Sequence, residues 1–195
     1  MVTPLLDNDH LDVEGTKRVA DHMVEGGVSA IFLLGTTGES QSISMRLRYE
    51  FVETMCAHIA GRVPVLVAIT ETSMRDSLDL AAHAKKCGAV AVVSAPPYYF
   101  PANQKELIDW YTCLADNCPL PVFLYNMPSK VKVFLEVDSY KAAASGDTAL
   151  AAEYQDRIMY LSKSLYGLDP SLSSISFLGL PGGAYYCLTY KTNAV

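Results

Sequence analysis

Gly35-Thr36-Thr37-Gly38-Glu39-Ser40 brings two glycines and three hydroxyl side chains into six residues. Glycines let backbone N–H groups turn toward a ligand, and threonine hydroxyls donate beside them. The stretch follows the apolar run Ser29-Ala30-Ile31-Phe32-Leu33-Leu34 and precedes a long helical pattern opening near Ser42 to Ser44. A strand-loop-helix junction of this kind adds the positive end of the helix and suits an anion, a carboxylate or a phosphate. Gly-Thr-Thr-Gly is equally the composition of an ordinary turn, and the six residues alone leave both readings open.

Two further segments carry polar groups just past apolar runs. Val90-Ala91-Val92-Val93-Ser94-Ala95 leads into Pro96-Pro97-Tyr98-Tyr99, and Pro121-Val122-Phe123-Leu124 leads into Tyr125-Asn126-Met127-Pro128. Taken in this order, the three motifs resemble the dihydrodipicolinate synthase and N-acetylneuraminate lyase family of pyruvate-handling class I aldolases. The resemblance covers 2–138 and resumes over 140–169.

That resemblance implies a 2-oxo acid substrate, commonly pyruvate, held as a Schiff base on a lysine amine without any cofactor, the iminium serving as electron sink. It places Gly35, Thr37 and Gly38 on the substrate carboxylate, and Thr36 in a proton relay to the phenol of Tyr125. It gives Tyr99 the task of completing that relay across a subunit interface. Lys130 stands where the synthase branch usually carries an arginine for a second substrate's carboxylate, and lysine keeps the charge but loses the two-pronged fork. Plainer readings stand beside these: Tyr98, Tyr99 and Phe100 as a surface aromatic patch, and Tyr125 as a core ring bonded to backbone.

Elements that could position these residues alternate regularly. Strand-like runs at 2–6, 29–34, 64–69, 89–95 and 121–125 are separated by helical patterns. Val19, Ala20, Met23 and Val24 form one apolar stripe that stops at Gly26-Gly27. Ser73 with Asp76 opens a helix closing at Gly88, and Leu107, Ile108 and Tyr111 mark a face within 104–114. Such alternation is the signature of parallel β/α units. With functional residues at strand C-terminal ends, it predicts the α/β class and an eightfold (β/α)8 barrel of the TIM-barrel family over an open parallel sheet. No Gly-x-Gly-x-x-Gly follows any strand, which argues against a dinucleotide site.

A complete barrel takes about 250 residues, and this chain of 195 spends its first 125 on five strands. The expected organisation is therefore incomplete: β/α units one to five over 1–138, a C-terminal helical segment over 139–169, and a tail over 170–195 with neither helical nor alternating period. The family's nucleophilic lysine, in a Gly-x-Lys-(Asp/Glu)-Ser context, has no counterpart. No lysine lies between Lys141 and Lys163, and both of those fall in segments that read as outer helices. Without a buried, desolvated amine a neutral lysine is hard to supply at pH 7. The expectation is an aldolase-type lyase with impaired activity. The alternatives are a non-catalytic partial subunit associating with a full-length relative, or an incomplete product with no selected function.

Half the residues are hydrophobic, and the net charge is −6 without any basic cluster beyond pairs such as Lys85-Lys86. Nucleic acid is an unsuitable partner on that balance. No apolar run reaches the length of a membrane span and no secretory signal pattern opens the chain, so a cytoplasmic location and no membrane partner are expected. Five cysteines, an odd number with no C-x-x-C pair, read as reduced thiols, and the four scattered histidines suggest no metal site. An unclosed parallel sheet would expose edges, so association is expected, as a homo-oligomer or with a full-length relative. The edges at 2–6 and 121–125 would then meet another chain or the tail 173–195.

Overall fold

Long apolar runs broken by glycine and polar turns give short strands and amphipathic helices in regular succession. The computed structural model describes residues 1–135, 176–179 and 184–188. Contacts group these into two compact units, one of Met1–Ile69 with Arg75–Val92, the other of Thr70–Met74 with the chain from Val93 on.

The first unit opens with β1 (Leu5–Asp7) and β2 (His10–Leu11), paired antiparallel. Here the structure corrects the expected first strand over 2–6, since β1 turns back on β2 and is not part of a parallel ladder. The reason lies in Asp7-Asn8-Asp9: the Asp7 carboxylate accepts the Asp9 N–H at 2.8 Å and meets the His10 ring at 2.9 Å, a side-chain-directed turn. Helix α1 (Val13–Glu25) is capped by Asp12, which accepts from the Gly15 N–H, and it stops at Gly26 with Gly27 at φ 77°.

Strand β3 (Ile31–Leu33) leads through the glycine loop to α2 (Met45–Ile59) and β4 (Val65–Ala68). On α2, Leu47, Phe51, Met55 and Ile59 repeat every four residues and are all fully buried, the stripe that holds the helix on the core. Across α1 and α2, the Asp21 carboxylate takes the Arg62 guanidinium at 2.8 Å and His58 at 2.9 Å, and these two partners, Arg62 foremost, hold Asp21 below the usual carboxylate range. Strands β3 and β4 pair in parallel, Ile31 opposite Val65 and Leu33 opposite Val67. Helix α3 (Met74–Cys87) follows, closing at Gly88 with φ 96°. Next comes β5 (Ala91–Ser94), which continues the ladder from β4 and within which the two units divide. Every residue of β4 and β5 is buried, as the two-sided cover of parallel strands requires.

The second unit contains α4 (Gln104–Asn117), β6 (Val122–Asn126) and the short α5 (Pro128–Val131). A capping box between Asn103 and Glu106 starts α4, and Leu107, Tyr111 and Leu114 form its buried face. The tail supplies two strands that periodicity did not reveal, β7 (Ser176–Gly179) and β8 (Ala184–Leu188). Strand β8 lies parallel to β6, from Val122 opposite Ala184 to Asn126 opposite Leu188, and β7 runs antiparallel on its far side. The expected edge at 121–125 is thus paired with the chain's own tail. The helical segment expected over 139–169, with Lys141 and Lys163, lies outside the described residues. Among the described residues no helix is long and apolar enough to cross a membrane, and Cys56, Cys87, Cys113 and Cys118 are free thiols.

Candidate functional site

In the first unit the chain leaves β3 through Leu34 at φ 58° and enters a 3-10 turn, Thr36–Gly38, followed by a second, Ser40–Ser42. Internal bonds set the loop: Gly38 N–H to Gly35 carbonyl at 2.9 Å, Glu39 N–H to Thr36 carbonyl at 3.1 Å and Ser42 N–H to Glu39 carbonyl at 2.8 Å. Both glycines sit where a Cβ would crowd its neighbours. A Cβ at Gly35 would sit 2.9 Å from the Phe32 ring, and one at Gly38 would meet the Met1 carbonyl oxygen at 3.0 Å. The N-terminal residues brace the same loop, for Thr3 donates to the Gly38 carbonyl at 2.8 Å and the Met1 amine to the Phe32 carbonyl at 3.0 Å, where burial lowers the amine's pKa.

The outcome is a loop whose glycines are buried and whose Thr36 and Thr37 are exposed, with hydroxyls that have no hydrogen-bond partner among the described residues. Ser40, by contrast, is buried and accepts from Gln41. Helix α2 contributes less than its position in the sequence suggests. It begins only at Met45, after the second 3-10 turn, and Ser44 caps it by accepting the Leu47 N–H.

In the second unit, β5 ends at Ser94 and Pro96-Pro97 carry the chain to Tyr98, Tyr99 and Phe100. The Tyr98 phenol donates to the Glu71 carboxylate at 3.2 Å, and the Ala95 N–H donates to the Thr70 hydroxyl at 2.9 Å. Tyr99 stands at φ 80° and is 84% exposed, its ring edge-on to Phe100 with centroids 4.9 Å apart. Tyr125 is buried at the penultimate position of β6. Beside it Asn126, also buried, accepts the Leu135 N–H at 3.2 Å and donates to the Leu135 carbonyl at 3.3 Å. Lys130, on α5, is exposed, and no ion pair joins it among the described residues.

Gly35, Thr36, Thr37 and Gly38 therefore share one loop beyond β3, while Tyr99, Tyr125 and Lys130 lie in the second unit, beyond or at the ends of β5 and β6. Sequence reading passed over Thr70, Glu71 and Asn126. The first two had a signal, a hydroxyl and a carboxylate directly after an apolar run, the same pattern that marks Thr36 and Thr37. No described lysine is buried: Lys17 is half-buried against Glu14, and Lys85, Lys86, Lys105, Lys130 and Lys132 are exposed.

Parallel strands joined by helices, with polar loops beyond the strands' C-terminal ends, define a β/α protein of the TIM-barrel type that covers part of the barrel. The model of the dihydrodipicolinate synthetase family matches residues 1–141, and the chain belongs to that family. It is 32% identical over 139 residues to the 4-hydroxy-tetrahydrodipicolinate synthase of Dechloromonas aromatica, covering 71% of this chain and 48% of that protein. Among solved structures, dihydrodipicolinate synthase from Bacteroides thetaiotaomicron is 46% identical with a TM-score of 0.71, over 85% of this chain and 58% of that one. A prophage protein of the same family from E. coli K12, solved in complex with pyruvate, is 31% identical with a TM-score of 0.69, over 73% and 48% of the respective chains. The chain spans about half the length of the curated relatives it matches.

Proposed function

We propose that this chain is a 2-oxo acid binding member of its family, with pyruvate as the ligand and with Schiff-base lyase chemistry impaired. One observation carries the reading: the glycine-braced loop beyond β3 exposes the hydroxyls of Thr36 and Thr37 without partners among the described residues. Thr37 is the carboxylate donor, and Gly35 and Gly38 shape the loop around it, the Gly38 N–H being already spent on the Gly35 carbonyl; by family resemblance Thr36 belongs to a proton relay with Tyr125. Tyr99 completes the relay from one subunit to another, and Lys130 offers charge to a second anionic substrate without an arginine's geometry. Pyruvate in the related E. coli complex supports the choice of ligand.

Impairment follows from the amine. A Schiff base needs a lysine that is neutral at its working pH, which burial normally provides, and the described lysines are all in contact with solvent. Incubating the chain with pyruvate and borohydride, followed by intact-mass analysis, is expected to give no adduct while calorimetry registers weak 2-oxo acid binding. A stable adduct on Lys130, Lys132 or Lys141 would show that a substitute nucleophile works and would end this reading. The exposed Tyr99 and Phe100, at 84% and 79%, favour a second role as a partial subunit that docks on a full-length relative through that aromatic pair. Co-sedimentation with such a relative, lost in Tyr99→Ser, tests it.

A further inference from the structure

We infer that Thr70 and Glu71 are positioning residues for Tyr99, a clamp reaching from the loop beyond β4 to the segment beyond β5. Two consecutive side chains make the clamp. The Thr70 hydroxyl accepts the Ala95 N–H at 2.9 Å, where β5 ends, and the Glu71 carboxylate accepts the Tyr98 phenol at 3.2 Å, one residue before Tyr99. Between those anchors lie Pro96 and Pro97, whose rings fix φ and leave the segment few ways to move. The compact grouping of the fold agrees, because Thr70–Met74 separates from the rest of its β/α unit and joins the chain from Val93 onward.

What the clamp holds is otherwise unfavourable. Tyr99 at φ 80° occupies backbone space that residues with a Cβ rarely visit, and such a conformation persists only where its neighbours fix it. Its ring is 84% exposed and touches Phe100 edge-on, so burial within the chain does not compensate for the strain. On the far side Asn103 and Glu106 lock the start of α4 through their reciprocal bonds, and Gln104 donates to the Phe134 carbonyl at 2.7 Å. An aromatic side chain held outward at both flanks, in a strained conformation, is set for a contact outside its own chain. Glu71 decides its place through Tyr98.

The inference rests on the reading of Tyr99 as an outward-acting residue, and its test needs neither pyruvate nor a partner. Fluorotyrosine placed at position 99 of the full chain reports its surroundings by 19F resonance, and hydrogen exchange reports the amides of Tyr98, Tyr99 and Phe100. In Glu71→Ala and in Tyr98→Phe the resonance is expected to move toward the value of a free tyrosine. Those amides are expected to exchange about tenfold faster, the loss of one charged hydrogen bond. The double variant should do no more than Glu71→Ala alone, since that variant already removes the bond that Tyr98→Phe removes. Glu71→Gln should restore the wild-type resonance, because its amide oxygen accepts the same phenol hydrogen. Should Glu71→Ala fail to fold, Tyr98→Phe, which removes a single oxygen, still decides. An unmoved resonance in Tyr98→Phe, or a Glu71→Gln spectrum displaced as far as that of Glu71→Ala, would overturn the clamp. Failure of pyruvate to bind would leave this result standing, and the two readings thus fail separately.

Discussion

Thr37 and Ser40 stand three residues apart in one loop with opposite prospects. The Thr37 hydroxyl is exposed and unpartnered among the described residues, whereas Ser40 is buried and already accepts from Gln41. Thr37→Val keeps shape and removes the donor, so 2-oxo acid affinity should fall about fivefold, the value of one hydrogen bond, while Ser40→Ala should leave it within twofold. Calorimetric titration of both variants with pyruvate decides. Equal affinities would make the loop an ordinary turn. Residue types announced this contrast only in part. Gly-Thr-Thr-Gly signalled exposed donors, but which hydroxyl faces outward depends on Glu39 entering left-handed space at φ 53°, and nothing in a glutamate predicts that. Asn126 was harder still to read, since beside a candidate phenol its amide passes for part of the same motif.

At the scale of elements, that amide ties β6 to the segment beyond α5. It bonds Leu135 twice, accepting from the N–H and donating to the carbonyl, and all the groups involved are buried. Asn126→Leu fills similar space and leaves two backbone groups without partners, for which a loss of about 2–4 kcal/mol is expected in denaturant unfolding. Asn103→Ala, which opens the capping box of α4, sets the comparison at about 1 kcal/mol. A loss below that of Asn103→Ala would mean the segment swings out and finds water. The elements of both units show why some boundaries were legible. Apolar runs placed β3 to β6 within a residue or two at most ends, because a strand buried on both faces needs no second signal. The 2–6 run failed because Asp7 redirects the chain through its own side chain, a local hydrogen bond that hydrophobicity does not register. In the tail, Pro181-Gly182-Gly183 stands between two short runs rich in aromatic and aliphatic residues, a turn composition that a search for strict alternation does not register.

For the whole molecule the question is what covers β6. Residue counting along the sequence says nothing of the side of β6 that a next barrel strand would occupy. Strand β8 lies there, parallel and in register over five paired positions, with β7 beyond it. A β6 edge without that partner would offer unpaired N–H and carbonyl groups along a strand whose residues are nearly all buried, the combination that recruits other chains. Tyr186→Pro, at the middle of β8 and opposite Leu124, removes a ladder donor and forces the backbone out of the sheet. The variant is expected to lose cooperative unfolding and to sediment at micromolar concentration as larger species than the parent chain, with Lys191→Pro, beyond the strand, as the control. Association rising in Tyr186→Pro alone would establish the tail as the cover of β6. If both variants sediment as the parent does, the tail strands contribute nothing to the sheet's integrity, and a second chain must supply what β6 requires.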